Sequence, residues 1–432
     1  MRQALVLLHR YAGLTIAAFL VVSGLTGAII SWDHELDELL NPQLTHVESR
    51  GPAQSSLALA QAIEARDPRV QITWLPLHEP EGHALAFGVE PRVDPATGRL
   101  FDIDYNQVFV DPVTGETLGE REWGGVWPIT RENLVSFLYV LHYSLHMPTM
   151  WGIDRWGLWL LGIIAIIWTL DSFVGFYLTL PLRRRARAAA AAGGEPARSF
   201  WQRWKPAWKL RWNAGSTKLN FDLHRAFSLW TWLVVFVLAF TAFSLNLYSE
   251  VFYPVMSKVS QVTPSPWDTR MPTPPDRPIE PRLGFADVLA RAEEEGQARG
   301  WTTPVGGIYY SRLQGFYSVN YYAPGDDHGA AGVGPPQVYF DGADGALIGE
   351  RLPWKGTAAD LFVQAQFPLH SGRILGIPGR ILVSLMGLVV ALMSITGVII
   401  WWRKRAARVS KAVAQADATA VPVVNAVSSP GA

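Results

Sequence analysis

Four apolar runs alternate with long polar stretches along the chain: roughly Leu5–Trp32, Trp156–Leu180, Leu223–Leu247 and Ile381–Trp402. A bilayer takes about 20 helical residues to cross, so each run predicts a transmembrane helix. His9 and Trp32, like His224 and Leu247, stand 23 residues apart, or ~34 Å of helix, a full crossing in both cases. The first run is too long for the apolar core of a signal peptide, and no convincing Ala-x-Ala site follows Trp32. A retained helix is therefore expected.

The polar stretches differ sharply in charge. Residues 181–220 carry ten Lys/Arg, beginning with Arg183-Arg184-Arg185, against the single acid Glu195. Arg403-Lys404-Arg405 follow the fourth run, whereas residues 33–130 hold 17 acids and 6 bases. The positive-inside rule puts both termini and the 181–220 loop in the cytoplasm. Two large loops then lie outside, which for a bacterial inner membrane means the periplasm.

Those outer loops repeat a pattern. Val110-Asp111-Pro112-Val113-Thr114-Gly115 with Gly119-Glu120-Arg121 matches Phe340-Asp341-Gly342-Ala343-Asp344-Gly345 with Gly349-Glu350-Arg351. Each copy reads as strand, tight Asp…Gly turn and return strand. A helix-like segment precedes each, Leu57–Arg66 and Phe285–Arg299. The expected fold is an α-helical membrane protein: a four-transmembrane-helix bundle with two periplasmic α+β modules, built as an internal duplication. Helix 1 falls in residues 1–32, the first module in 33–133, and a pre-helix with helix 2 in 134–182. A basic, Trp-rich loop takes 183–219, helix 3 takes 220–248, and a proline-rich linker with the second module takes 249–368. Helix 4 occupies 369–403, and 404–432 form a tail expected to be disordered. Within the linker, Tyr253–Pro281 reads as an extended connector.

Composition narrows the chemistry. The formal net charge is zero, so nothing argues for nucleic acid as a partner. No cysteine is present, which excludes iron–sulfur clusters, c-type haem attachment and disulfides. The 19 tryptophans suit membrane interfaces. Trp201, Trp204, Trp208 and Trp212 alternate with basic residues, as in a segment lying on the inner leaflet. No Gly-x-Gly-x-x-Gly or Walker motif occurs, so no dinucleotide site of a familiar kind is expected.

The histidines carry the candidate chemistry. Leu8-His9-Arg10 with Leu14 reappears as Leu223-His224-Arg225 with Leu229. Leu145-His146, five residues, then Gly152-Ile153 reappears as Leu369-His370, five residues, then Gly376-Ile377. Ionisable groups at matched places in apolar helices are functional candidates. Two axial imidazoles can clasp the iron of a b-type haem. Two haems are therefore expected, one held by His9 with His224 on the inner face, the other by His370 with His146 or His142 on the outer face. The register of the repeated word favours His146; His142, four residues earlier, lies on the same helical face. Arg10 and Arg225 pair with haem propionates or serve as cytoplasmic anchors, and Arg155, Arg373 and Arg380 pose the same question outside. Asp171, inside the second run, relays a proton, orients a ligand histidine, or bonds a neighbouring hydroxyl. His34 reads as an interface or cap residue near the outer haem, and His46, His78, His83 and His328 as solvated loop residues. Tyr309, Tyr310, Tyr317, Tyr321 and Tyr322 either line an acceptor surface or pack within strands. No separate catalytic residue stands out.

Leu-His-Arg-Tyr-Ala-Gly-Leu at 8–14 with Ser-Gly-Leu-Thr-Gly at 23–27 resembles the PepSY-associated transmembrane family of iron-regulated membrane proteins. Asp-Ser-Phe-Val-Gly-Phe-Tyr-Leu-Thr-Leu-Pro at 171–181 and Ile-Thr-Gly-Val-Ile-Ile-Trp-Trp-Arg at 395–403 are similar to it as well. The resemblance implies that the Asp…Gly hairpins belong to PepSY modules. It also implies an inner-membrane reductase that passes electrons from a cytoplasmic or quinol donor to a periplasmic ferric siderophore. A haem-free membrane protein that binds or regulates a peptidase or peptide is the alternative.

Overall fold

The computed structural model describes residues 1–181 and 198–420, and the Arg183-Arg184-Arg185 cluster lies outside them. Among the described residues, three helices are long and apolar enough to cross a membrane: α1 (Arg2–Ile30), α6 (Trp156–Thr179) and, through Gln415, α14 (Ile377–Ala420). The last exposes Ile381, Leu385, Leu388 and Ile395 at helical spacing, a stripe suited to lipid. Close helix contact is built on glycine: a Cβ on Gly387 would stand 2.3 Å from the Gly24 carbonyl of α1. The tail from residue 404, expected to be disordered, is helical to Ala420, and the rest of it lies outside the described residues.

The third apolar run is not the straight crossing its length predicts. It forms α8 (Ser216–Trp230) and α9 (Trp232–Asn246), which meet at 74° and make a fourth span only if taken together. Thr231 sits at the break with φ −109° and ψ 3°, and its hydroxyl donates to the Phe227 carbonyl at 2.8 Å. A threonine bonding back into the preceding turn offers the backbone an alternative to the helix ladder and bends it.

The chain divides into two compact units. One comprises Met1–Val22, Ile167–Phe236 and Val389–Ala432, and the other Ser23–Ile166 and Val237–Leu388. The second contains an antiparallel sheet of eight strands ordered β4-β3-β2-β1-β5-β6-β7-β8. The strands are β1 (Val70–Pro76), β2 (Leu85–Pro91), β3 (Gln107–Val110), β4 (Thr117–Arg121), β5 (Val305–Ser311), β6 (Phe316–Tyr321), β7 (Gln337–Asp341) and β8 (Leu347–Arg351). Four-strand meanders from the two polar loops thus join edge to edge, with Trp74 opposite Tyr309 and Leu75 opposite Ile308. Two free-standing modules would each leave that edge unpaired, and the join satisfies both.

Helices α4 (Ser56–Arg66) and α12 (Phe285–Ala298) supply Leu59, Ala60, Ile63, Val288 and Ala292 to the sheet's core, beside Ile72, Phe87, Val108, Tyr310, Tyr317 and Phe340. Burying each large apolar side chain contributes about 1.5–3 kcal/mol. The repeated polar letters now have physical reasons. Asp111 accepts from the Val113 and Thr114 amides at 2.8 and 3.1 Å, and Asp341 accepts from the Ala343 amide at 2.7 Å. Gly115 and Gly345 take φ +77° and +72° to close the turns. Glu120 and Glu350 each receive a helix-end arginine, Arg66 and Arg299. In the proline-rich stretch, expected to be extended, Tyr253–Val259 and Pro266–Thr269 are helical as α10 and α11.

Candidate functional site

His9 of α1 and His224 of α8 face one another with ring centres 6.2 Å apart and planes tilted by 55°. His9 Nδ1 stands 2.9 and 3.0 Å from the two carboxylate oxygens of Asp171 on α6. His224 Nδ1 lies 2.9 Å from the Met393 carbonyl of α14 and 3.3 Å from the Thr396 hydroxyl. A carbonyl only accepts, so this Nδ1 carries the proton and donates. Small residues make room for both rings. A Cβ on Gly175 would meet His9 Cε1 at 3.4 Å, and one on Gly397 would meet His224 Cε1 at 3.2 Å.

A cavity of about 380 Å³ opens around this pair, lined also by Arg2, Arg10, Arg225 and Lys404. Arg225 donates to Asp222 at 2.9 Å and to the Pro206 carbonyl at 2.8 Å, yet its Nε is buried without a bond partner. The buried Asp222 also receives Arg211 at 2.7 and 2.8 Å. The Trp-rich segment belongs to this unit. Trp204 is buried with Ala207 and Leu229 against Phe176 and Leu180, whereas Trp201 and Trp212 are exposed, which suits an interfacial segment.

The other unit contains the second pair. His142 lies on a short apolar helix, α5 (Leu134–Ser144), and His370 on α13 (Ala358–Ser371). Their ring centres are 6.1 Å apart and their planes tilt by 54°. His142 Nδ1 contacts the Thr26 hydroxyl at 3.1 Å, and His370 Nδ1 contacts that of Thr241 at 2.9 Å. Both hydroxyls already donate to carbonyls, those of Ser23 and Val237, so each accepts from its histidine. A Cβ on Gly27 would meet His142 Cε1 at 2.8 Å.

All four histidines therefore commit Nδ1 to an oxygen, and among the described residues no bond is made to Nε2. Two imidazoles bound through Nε2 to opposite sides of one metal ion, at about 2.0–2.1 Å each, have ring centres roughly 6.3 Å apart. The observed spacings match that arrangement.

The repeat register points to His146, and the structure places His142 opposite His370 instead. α5 ends at Ser144, and Leu145 and His146 take φ +55° and +50°, which swings His146 out of the helical face. Its ring stacks on Phe137 at 4.5 Å, and its Nε2 donates to the Phe137 carbonyl at 2.8 Å. In the second copy the helix runs one residue past His370.

Other expectations also shift. Arg155 pairs with Glu250 at 2.7 Å, Arg373 with Asp33 at 3.3 Å and Arg380 with Glu35 at 2.6 Å, so each has a carboxylate partner. Tyr310, Tyr317, Tyr321 and Tyr322 are buried in or beside the sheet, and Tyr309 stacks on Trp267 at 6.0 Å; they pack strands rather than line a surface. The loop histidines are not isolated. His34 meets His328 at 4.7 Å between ring centres, and His46 meets His83 at 4.9 Å. His78 is enclosed against Tyr322, with neither ring nitrogen bonded to a protein group.

A comparison with curated proteins finds no match. The family model described as the PepSY-associated TM region matches residues 6–404. With nearly its whole length covered by that match, the chain belongs to the PepSY-associated transmembrane family and is a membrane protein.

Proposed function

We propose that the protein is an inner-membrane, di-haem b-type electron-transfer protein, with His9 and His224 as axial ligands of one haem and His142 and His370 of the other. The observation that carries this reading is the shared geometry: Nδ1 committed, Nε2 unbonded, and ring centres 6.2 and 6.1 Å apart. Held there by the four imidazoles, iron porphyrin would supply reversible one-electron chemistry suited to electron transfer. The chain's own residues fix the rings. Asp171 and the Met393 carbonyl hold one pair, the Thr26 and Thr241 hydroxyls hold the other, and glycines leave the space the rings need. Arg225, with its unpaired Nε, and Arg10 face the first cavity as partners for propionates.

The membrane, both termini inside and two periplasmic loops follow from the charge pattern. The two sheet halves are PepSY-like modules arising by duplication. Electrons enter from a cytoplasmic or quinol donor, and a periplasmic ferric siderophore accepts one, Fe(III) becoming Fe(II). Hard oxygen chelators favour the ferric ion, so reduction loosens the metal.

The purified protein should show a dithionite-reducible Soret band equivalent to two haems per chain. His9→Ala or His224→Ala should remove one, His142→Ala or His370→Ala the other, and His146→Ala neither. Reduced protein mixed with a ferric siderophore and a ferrous trap should yield trapped Fe(II). A haem-free protein would leave the peptide-binding alternative standing.

A further inference from the structure

Four of the chain's ten histidines sit in clusters with carboxylates that belong to neither pair above. His34 lies on α2 (Asp33–Leu40), and Asp327 and His328 lie in the connection between β6 and β7. The rings of His34 and His328 meet edge to face, at 73°. One ligand atom from each of these three residues falls within 4.8 Å of the others. Donors bound to one ion at about 2.1 Å lie ~3–4 Å apart, so small rotations of exposed side chains would close the set.

The supporting groups suit a cation. His34 Nδ1 lies 3.3 Å from Asp33 Oδ1, and Asp33 is itself held by Arg373. A carboxylate behind an imidazole fixes the ring and leaves Nε2 as the ligand. Glu79 adds a carboxylate to the same neighbourhood, close enough to feel the charge of Asp327. A second group with the same donor types, Glu38, His46 and His83, also feels the charge of Glu79 through His83 and Glu38.

We propose that His34, Asp327 and His328 form a binding site for a first-row divalent metal ion, a two-histidine, one-carboxylate face with positions open to solvent. Imidazole and carboxylate donors without thiolate suit Fe(II), Mn(II), Co(II) or Zn(II), and open positions leave room for an exchanging ligand. The site stands on its own donor set and does not need the two axial pairs to be occupied.

Equilibrium dialysis of the full chain in detergent against Zn(II), with zinc measured by elemental analysis, separates it from haem iron. Wild type should bind an equivalent that the double variant His34→Ala/His328→Ala lacks. Asp327→Asn should weaken that equivalent at least tenfold. His46→Ala/His83→Ala should keep it, and circular dichroism should show all variants folded. Zinc binding that survives the first double variant, or that vanishes only in the second, overturns the assignment. A haem spectrum lost while this zinc remains would reject the redox reading and leave the metal site standing.

Discussion

The two histidine pairs are alike in shape and unlike in what stands behind the rings. Spacing and tilt nearly coincide, 6.2 Å and 55° against 6.1 Å and 54°. Behind His9, however, lies the carboxylate of Asp171, whereas the other three rings lean on neutral oxygens from Met393, Thr26 and Thr241. Packing of helices fixes where the rings sit; the acceptor fixes how strongly each ring donates to a metal. A carboxylate acceptor makes its imidazole the stronger donor and favours the oxidised metal. On the proposed reading the first pair would have the lower potential; its cavity is lined by Arg2, Arg10 and Arg225.

Asp171→Asn should break that difference and have the largest effect of the non-ligand changes. Outer partners of metal-bound histidines typically matter 10–100-fold. Applied to the oxidised form, that is a rise of about 60–120 mV in the midpoint potential of the His9/His224 haem, at ~59 mV per tenfold for one electron. Redox titration followed at the Soret band should show one component moving and the other fixed. Equal movement of both components, or of neither, would mean that the carboxylate does not distinguish the sites.

Glycine sharpens the comparison from the other side. A Cβ on Gly27 would come within 2.8 Å of His142 Cε1, too close for any carbon contact, while one on Gly175 would sit 3.4 Å from His9 Cε1. Gly27→Ala should thus displace the His142 ring and lower occupancy of the second haem several-fold. Gly175→Ala should leave the first haem in place. Low-spin electron paramagnetic resonance, which reports the mutual tilt of axial rings, should change only in the first variant.

Much of this was legible in the chain because the same words occur twice. The Asp…Gly…Glu-Arg letters marked both hairpins, and the segments 57–66 and 285–299 marked the helices against the sheet, within a residue of Ser56–Arg66 and Phe285–Ala298. His9, His224 and His370 stood out as matched residues on apolar runs. What failed to show was set by events of one residue. A left-handed turn at Leu145 exchanged His146 for His142, and one non-helical residue, Thr231, broke a run that hydropathy reads as continuous. Pairing between β1 and β5, like the contact of His34 with His328, joins segments more than 200 residues apart. No local pattern encodes such partners. The tyrosines misled for the opposite reason, since alternation fits a bonding surface and a packed strand equally well.

The smallest expected effects test whether the acceptor's own strength, and not merely its presence, matters. His370 has one side-chain acceptor, Thr241 at 2.9 Å. His224 has the Met393 carbonyl at 2.9 Å, with Thr396 further off at 3.3 Å. Thr241→Val keeps the shape and removes the oxygen, so it should cost about 1 kcal/mol, or roughly fivefold in haem retention at the second pair. Thr396→Val removes the more distant of two oxygens at the His224 ring and leaves the Met393 carbonyl 2.9 Å away. Haem transfer to apomyoglobin should therefore speed up in Thr241→Val and stay at the wild-type rate in Thr396→Val. If the two variants lose haem equally fast, retention follows packing around the rings rather than the bond at Nδ1, and the contrast drawn for Asp171 would have to rest on charge alone.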